Sequence, residues 1–229
     1  MKYMKYPLTI MGFVFFSACQ PGVIFGEAQP ADTKALSEIP DNYRGTYWCK
    51  VDSASLFVDD KAFVKRKEFL VKLTRAEVDS SSDLNLNNGR LFVKEWGIDF
   101  PAEEKGDTII SKFVVRDTIF AIGPTQVLKG FKGHLVLSAK LDKDAWTVSV
   151  ASQTGNGILS IARADLPENL ALLDSIVPVK SLSKIKDRET QVLITPTKGQ
   201  FERILQQGVL FQGSCSEFER IIPIQHWQY

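Results

Sequence analysis

Short runs in which apolar and polar residues alternate dominate the chain from about residue 43 onward. Residues 43–51, 61–74, 91–96, 108–115, 134–139, 145–152 and 191–195 are rich in β-branched and aromatic side chains, and each predicts a strand. Asn87-Asn88-Gly89 lies between Leu84/Leu86 and Leu91-Phe92-Val93 and predicts a hairpin, because Asn and Gly tolerate positive φ. Asp142-Lys143-Asp144 and Thr154-Gly155-Asn156-Gly157 mark further turns, which makes a meander of about residues 131–162. Helical spacing is rarer. Pro167 precedes a run with Leu170, Leu173 and Ile176 on one face. Thr197-Lys198-Gly199-Gln200 matches a capping box, followed by Phe201, Ile204 and Leu205 on one stripe and Gly208 as a stop. The pattern predicts a mainly β fold (β-rich α+β) of antiparallel meanders with one or two short helices, the helix near 198–207 packing across a sheet.

One spacing suggests duplication. Tyr43-Arg44-Gly45 and Phe131-Lys132-Gly133 are followed, at equal distance, by Arg75-Ala76-Glu77-Val78 and Arg163-Ala164-Asp165-Leu166. This would divide the folded region of residues 40–229 into two related β-units, about 40–125 and 126–229.

The first residues carry a different pattern. Lys2 and Lys5 precede an apolar run over residues 8–16, then Ser17 and Ala18 lead to Cys19. These are the three parts of a secretory signal peptide spanning residues 1–18, and the run is shorter than the roughly 20 residues that span a bilayer. Phe16-Ser17-Ala18-Cys19 resembles a bacterial lipobox, with Phe16 where that family usually has Leu. The resemblance implies that Cys19 becomes the first mature residue and carries a diacylglyceryl thioether and an N-acyl chain such as palmitate. Two or three acyl chains anchor a protein stably where one does not. Gln20, in place of the Asp that retains lipoproteins at the inner membrane, resembles the class sent to the outer membrane, facing the periplasm. The other reading is ordinary secretion after cleavage near Ala18. Residues 20–39 hold Pro21, Gly22 and Pro30 with little periodicity and read as a flexible tether, so the expected organisation is lipidated Cys19 and a tether over 19–39.

Charge narrows the classes of partner. The 28 Lys+Arg and 27 Asp+Glu become 26 and 27 once residues 1–18 are removed, which excludes the basic excess of a nucleic-acid binder. Only two histidines, His134 and His226, are present, and no G-x-S-x-G, H-E-x-x-H, Walker or dinucleotide pattern occurs, so neither metal nor cofactor is expected. The Asn-rich run from Asp83 to Gly89 fails as a calcium loop because Lys94 stands where a bidentate Glu belongs. Glu103-Glu104 and the pair Glu217 and Glu219 read as solvated or ion-paired carboxylates. Trp48, Trp96 and Trp146 fall in strand patterns and read as core.

Cys49 and Cys215 are the thiols left beside Cys19 and stand near opposite ends of the folded region. A disulfide between them and two separately buried thiols are both open. Asp52-Ser53-Ala54, Asp107-Thr108-Ile109, Asp117-Thr118-Ile119 and Asp174-Ser175-Ile176 resemble the Asp-Ser/Thr-aliphatic O-glycosylation sequon of some envelope proteins, which marks Ser53, Thr108, Thr118 and Ser175. Phe131-Lys132-Gly133 through Ala145-Trp146-Thr147-Val148 is similar to a family of bacterial envelope lipoproteins, over about half of the mature chain. That resemblance brings no activity with it. The expected function is a membrane-anchored, non-enzymatic envelope lipoprotein that binds or scaffolds partner proteins. The alternatives are a carrier of a small apolar ligand in a β-barrel or sandwich cavity, and then a hydrolase.

Overall fold

Alternation along each strand decides which side chains meet in a core, and the register between strands decides where that core lies. A computed structural model describes residues 21–185, 188–211 and 216–221. Among these residues the order is β1 (Val23–Phe25), β2 (Gly45–Cys49), β3 (Ala54–Val58), β4 (Ala62–Thr74), α1 (Arg75–Ser80), β5 (Leu84–Asn87) and β6 (Arg90–Val93). Then follow β7 (Ile98–Lys105), β8 (Thr108–Ala121), β9 (Gln126–Phe131), β10 (His134–Asp142), β11 (Ala145–Gln153) and β12 (Ile158–Arg163). The last elements are α2 (Leu170–Asp174), β13 (Lys180–Ile185), β14 (Arg188–Ile194), α3 (Lys198–Gln206) and β15 (Ser216–Arg220). The protein is mainly β, as the patterning predicts.

Nine strands curl into a half-closed barrel. Their ladder runs β9-β10-β11-β12-β15-β2-β3-β4-β8, every pairing antiparallel. Its ends, β8 and β9, come together through the tight turn at Gly123 and Gln126 without a ladder between them. Alternate residues of these strands fill the interior: Tyr47, Leu56, Phe63, Phe120, Leu128, Leu137, Leu159 and Phe218 are all buried in one cluster. That cluster takes residues from both 40–125 and 126–229, so the two spans share one core. The two runs whose spacing suggested a repeat take different local structures. Arg75–Val78 lies in a helix, whereas Arg163 ends a strand.

The outer face of β9–β11 carries a second core. Val136 and Val148 on that face meet α3 through Phe201 and Ile204, and α2 through Leu173. The capping box of α3 forms as read: the Thr197 hydroxyl accepts from Gln200 N–H, and the Gln200 side chain accepts from Thr197 N–H at 2.9 Å.

From Pro21 onward the segment read as a tether is part of the fold. Val23, Ile24 and Phe25 pair in parallel with Val192, Leu193 and Ile194, and Phe25 lies opposite Trp146 of β11. Phe25 is fully buried. Three residues are too few to show a period, yet they bury a complete apolar edge in the second core. Beyond β1 the chain is clamped. Lys129 Nζ donates to the carbonyls of Ala28 at 2.7 Å and Pro30 at 2.8 Å, and Gln29 N–H donates to Ser138 Oγ at 3.0 Å. Burial holds the Lys129 ammonium below its ordinary pKa, with Glu27 and Asp32 opposing the shift. The folded region thus reaches back at least as far as Val23 and does not begin at residue 40.

Candidate functional site: an aromatic face on an arm

β4 and β8 remain paired well past the barrel, as far as Thr74 opposite Thr108. β7, β6 and β5 add to the β8 side of this ribbon in three antiparallel steps. The result is a small twisted sheet that stands out from the barrel as an arm. The Asn88-Gly89 turn, with φ of 49° and 70°, closes the β5–β6 hairpin as the sequence predicts.

The two faces of the arm differ in chemistry. One carries Glu68, Arg66 and Lys112, with ion pairs from Arg66 and Lys112 to Glu68, beside the exposed Leu70, Phe92 and Val114. The other continues the inward-facing side of the barrel strands. Its far half is roofed by α1, whose Val78 packs on Leu91 and Ile109. α1 begins with its own capping box, Thr74 to Glu77. Among the described residues the near half has no roof. Phe69 and Phe113 are a directly opposed pair, stacked with ring centroids 5.3 Å apart, and Phe100 stacks on Phe113 at 4.2 Å. Trp96 meets Phe100 and Phe113 edge-on at 6.2 and 6.4 Å, and Lys67 Nζ lies 5.3 Å from the Phe69 centroid. Trp96 is 56% exposed, Ile98 49% and Val115 46%. Phe69, Phe100 and Phe113 are half-buried, and a contiguous apolar group that keeps this much contact with water marks an interaction surface, since isolated exposed apolar residues are ordinary but contiguous ones are not.

Two of the three tryptophans read as core lie at the surface instead. Trp48 alternates with the buried Tyr47 and Cys49, which turns it to the outside of the barrel at 38% exposure, and Trp96 lies beyond the end of β6. Trp146 does pack, half-buried, against the second core. No residue of the aromatic face stands out by motif. The register of β4, β8 and β7 brings together residues 69, 100 and 113, and only that pairing reveals the patch.

The other candidate residues are dispersed. Cys19, Cys215 and His226 lie outside the described residues. Cys49 is buried, is bonded to no other cysteine among the described residues, and its Sγ approaches Asp52 Oδ1 at 3.6 Å. Ser53, Thr118 and Ser175 are exposed and Thr108 is half-buried, each on a different part of the surface. His134 shares a 2.7 Å hydrogen bond with Ser152. Glu103, Glu104 and Glu219 are in ion pairs with Lys105, Arg75 and Lys50. Among the described residues no helix is long and apolar enough to cross a membrane. Compared with family models, curated proteins and solved structures, the chain matches none of them.

Proposed function

We propose that the protein is a lipid-anchored component of a bacterial envelope that binds a partner protein through the open aromatic face of its arm, without catalysis. The observation that carries this reading is the stacked Phe69–Phe113–Phe100 group with the half-exposed Trp96 beside it. Aromatic side chains are enriched at the energetic centres of interfaces because each buries a large area at small rotamer cost. Here the rings are already ordered by mutual stacking, so little side-chain freedom is left to lose on docking. The N-terminal pattern ending in Cys19 supports the anchor and the placement at the outer membrane, facing the periplasm.

A photo-reactive residue placed at Ile98 or at Lys112 in cells tests the partner reading, because the two positions lie on opposite faces of the arm. A discrete adduct from position 98 that is absent from 112 and weakened by Trp96→Ala is the expected result. Equal adducts from both faces, or none from either, would overturn it. The mass of protein extracted from its own envelope tests the anchor through acyl increments on Cys19. The same spectrum reads a two-dalton loss for a Cys49–Cys215 bond and sugar increments at Ser53, Thr108, Thr118 or Ser175.

A further inference from the structure

We propose that the open end of the barrel binds an amphiphile with a single aliphatic chain and an anionic head. The barrel interior is filled with side chains for most of its length, but at the end from which the arm rises it gives way to a cavity of about 350 Å³. This lies at the low end of the range for small-ligand pockets, about 300–1,000 Å³, and suits one chain of moderate length and not a two-chain lipid.

The lining is divided by polarity along the depth of the cavity. Phe120, Leu137, Ile161 and Phe218 supply apolar surface, and three of them are buried within the barrel core. Ser149 and Arg163, directly opposed on β11 and β12, supply polar surface together with Thr147, whose hydroxyl donates to the Ala139 carbonyl. Arg163 is exposed and has no ion-pair partner among the described residues, in contrast to Arg44, Arg66, Arg75 and Arg90. Among the described residues no carboxylate lines the cavity. A guanidinium offers paired N–H donors that match a carboxylate or a phosphate, and a cationic head placed there would meet like charge with no acid to offset it. The apolar walls take the chain; Arg163 selects the head. Among the described residues entry is open, because β8 and β9 meet without a ladder and the wall next to Ile119 and Phe120 is unsewn.

Isothermal titration of the folded protein with decanoate, monodecyl phosphate and decyltrimethylammonium tests this, each below its micelle concentration. The two anions are expected to bind on the order of tenfold more tightly than the cation, since an exposed charge pair contributes modestly and its reversal costs a similar amount. Tighter binding of decanoate would point to a free fatty acid, and tighter binding of monodecyl phosphate to a phosphate headgroup. Arg163→Gln should erase the preference between anion and cation while circular dichroism stays unchanged. Ala139→Phe, which fills the cavity from its wall, should abolish binding of all three. Equal affinity for anion and cation, a preference that survives Arg163→Gln, or no binding by any probe would overturn the proposal.

Discussion

Asp52 sits in the turn between β2 and β3, where Lys65 donates to one of its carboxylate oxygens and Cys49 approaches the other. The hydrogen bond from Lys65 is the main cause holding this carboxyl below the usual aspartate range, and partial burial opposes it. A carboxyl whose pKa is depressed in the fold adds stability that is complete above its unfolded value, near 4, and is lost as pH falls through the folded value. Asp52→Asn should therefore lower the urea midpoint at pH 7 and flatten the further decline below about pH 4; an unchanged acid slope would show that the pair does not contribute. Residues of this kind are hard to find in sequence. Asp52 and Lys65 are thirteen positions apart and meet only because β3 and β4 pair Leu56 with Lys65. The aromatic face is hidden for the same reason. Its rings come from three strands, and each ring alone has the appearance of a core residue.

β1 is the element for which the sequence reading and the structure differ most. Its apolar residues occupy consecutive positions with proline and glycine on either side, a composition that suits a linker as well as a strand. What makes it a strand is a partner some 170 residues away, and no local pattern encodes that. Phe25→Ala removes a fully buried ring in edge-on contact with Phe201. It should cost about 3–5 kcal/mol in urea unfolding, whereas the same change in a true tether would cost nothing. α1 shows the opposite case. The Thr74–Glu77 capping box stands in the sequence as plainly as that of α3, but it follows directly on a long strand-like run and is absorbed by it. Turns are the most legible elements, because the positions the sequence marks at Asn88-Gly89 and Gly157 must reach positive φ whatever lies around them.

At the scale of the whole molecule, the strand order departs from the chain order in several places, and one of them completes the barrel. β15 is inserted between β12 and β2, so the barrel wall is completed by the last strand described, with Phe218 fully buried at its centre. The meanders could be read from turn spacing; this insertion could not, because it joins segments with no sequence relation. Ending the chain after residue 211 should leave a protein with exposed apolar surface and no cooperative urea transition, and a native-like transition would show that the wall closes without β15. The same insertion sets a clock. A chain that emerges with its N-terminus first holds the free edge of β2 open until residues 216–220 arrive. At synthesis rates of roughly 5–20 residues per second, that delay is on the order of ten seconds. Contacts this distant in sequence also form slowly once they are available. Throughout that interval the polypeptide is without its finished barrel. That is the state in which an unpaired strand edge and its apolar side chains are most open to mispairing, and the one that most needs a chaperone to shield it.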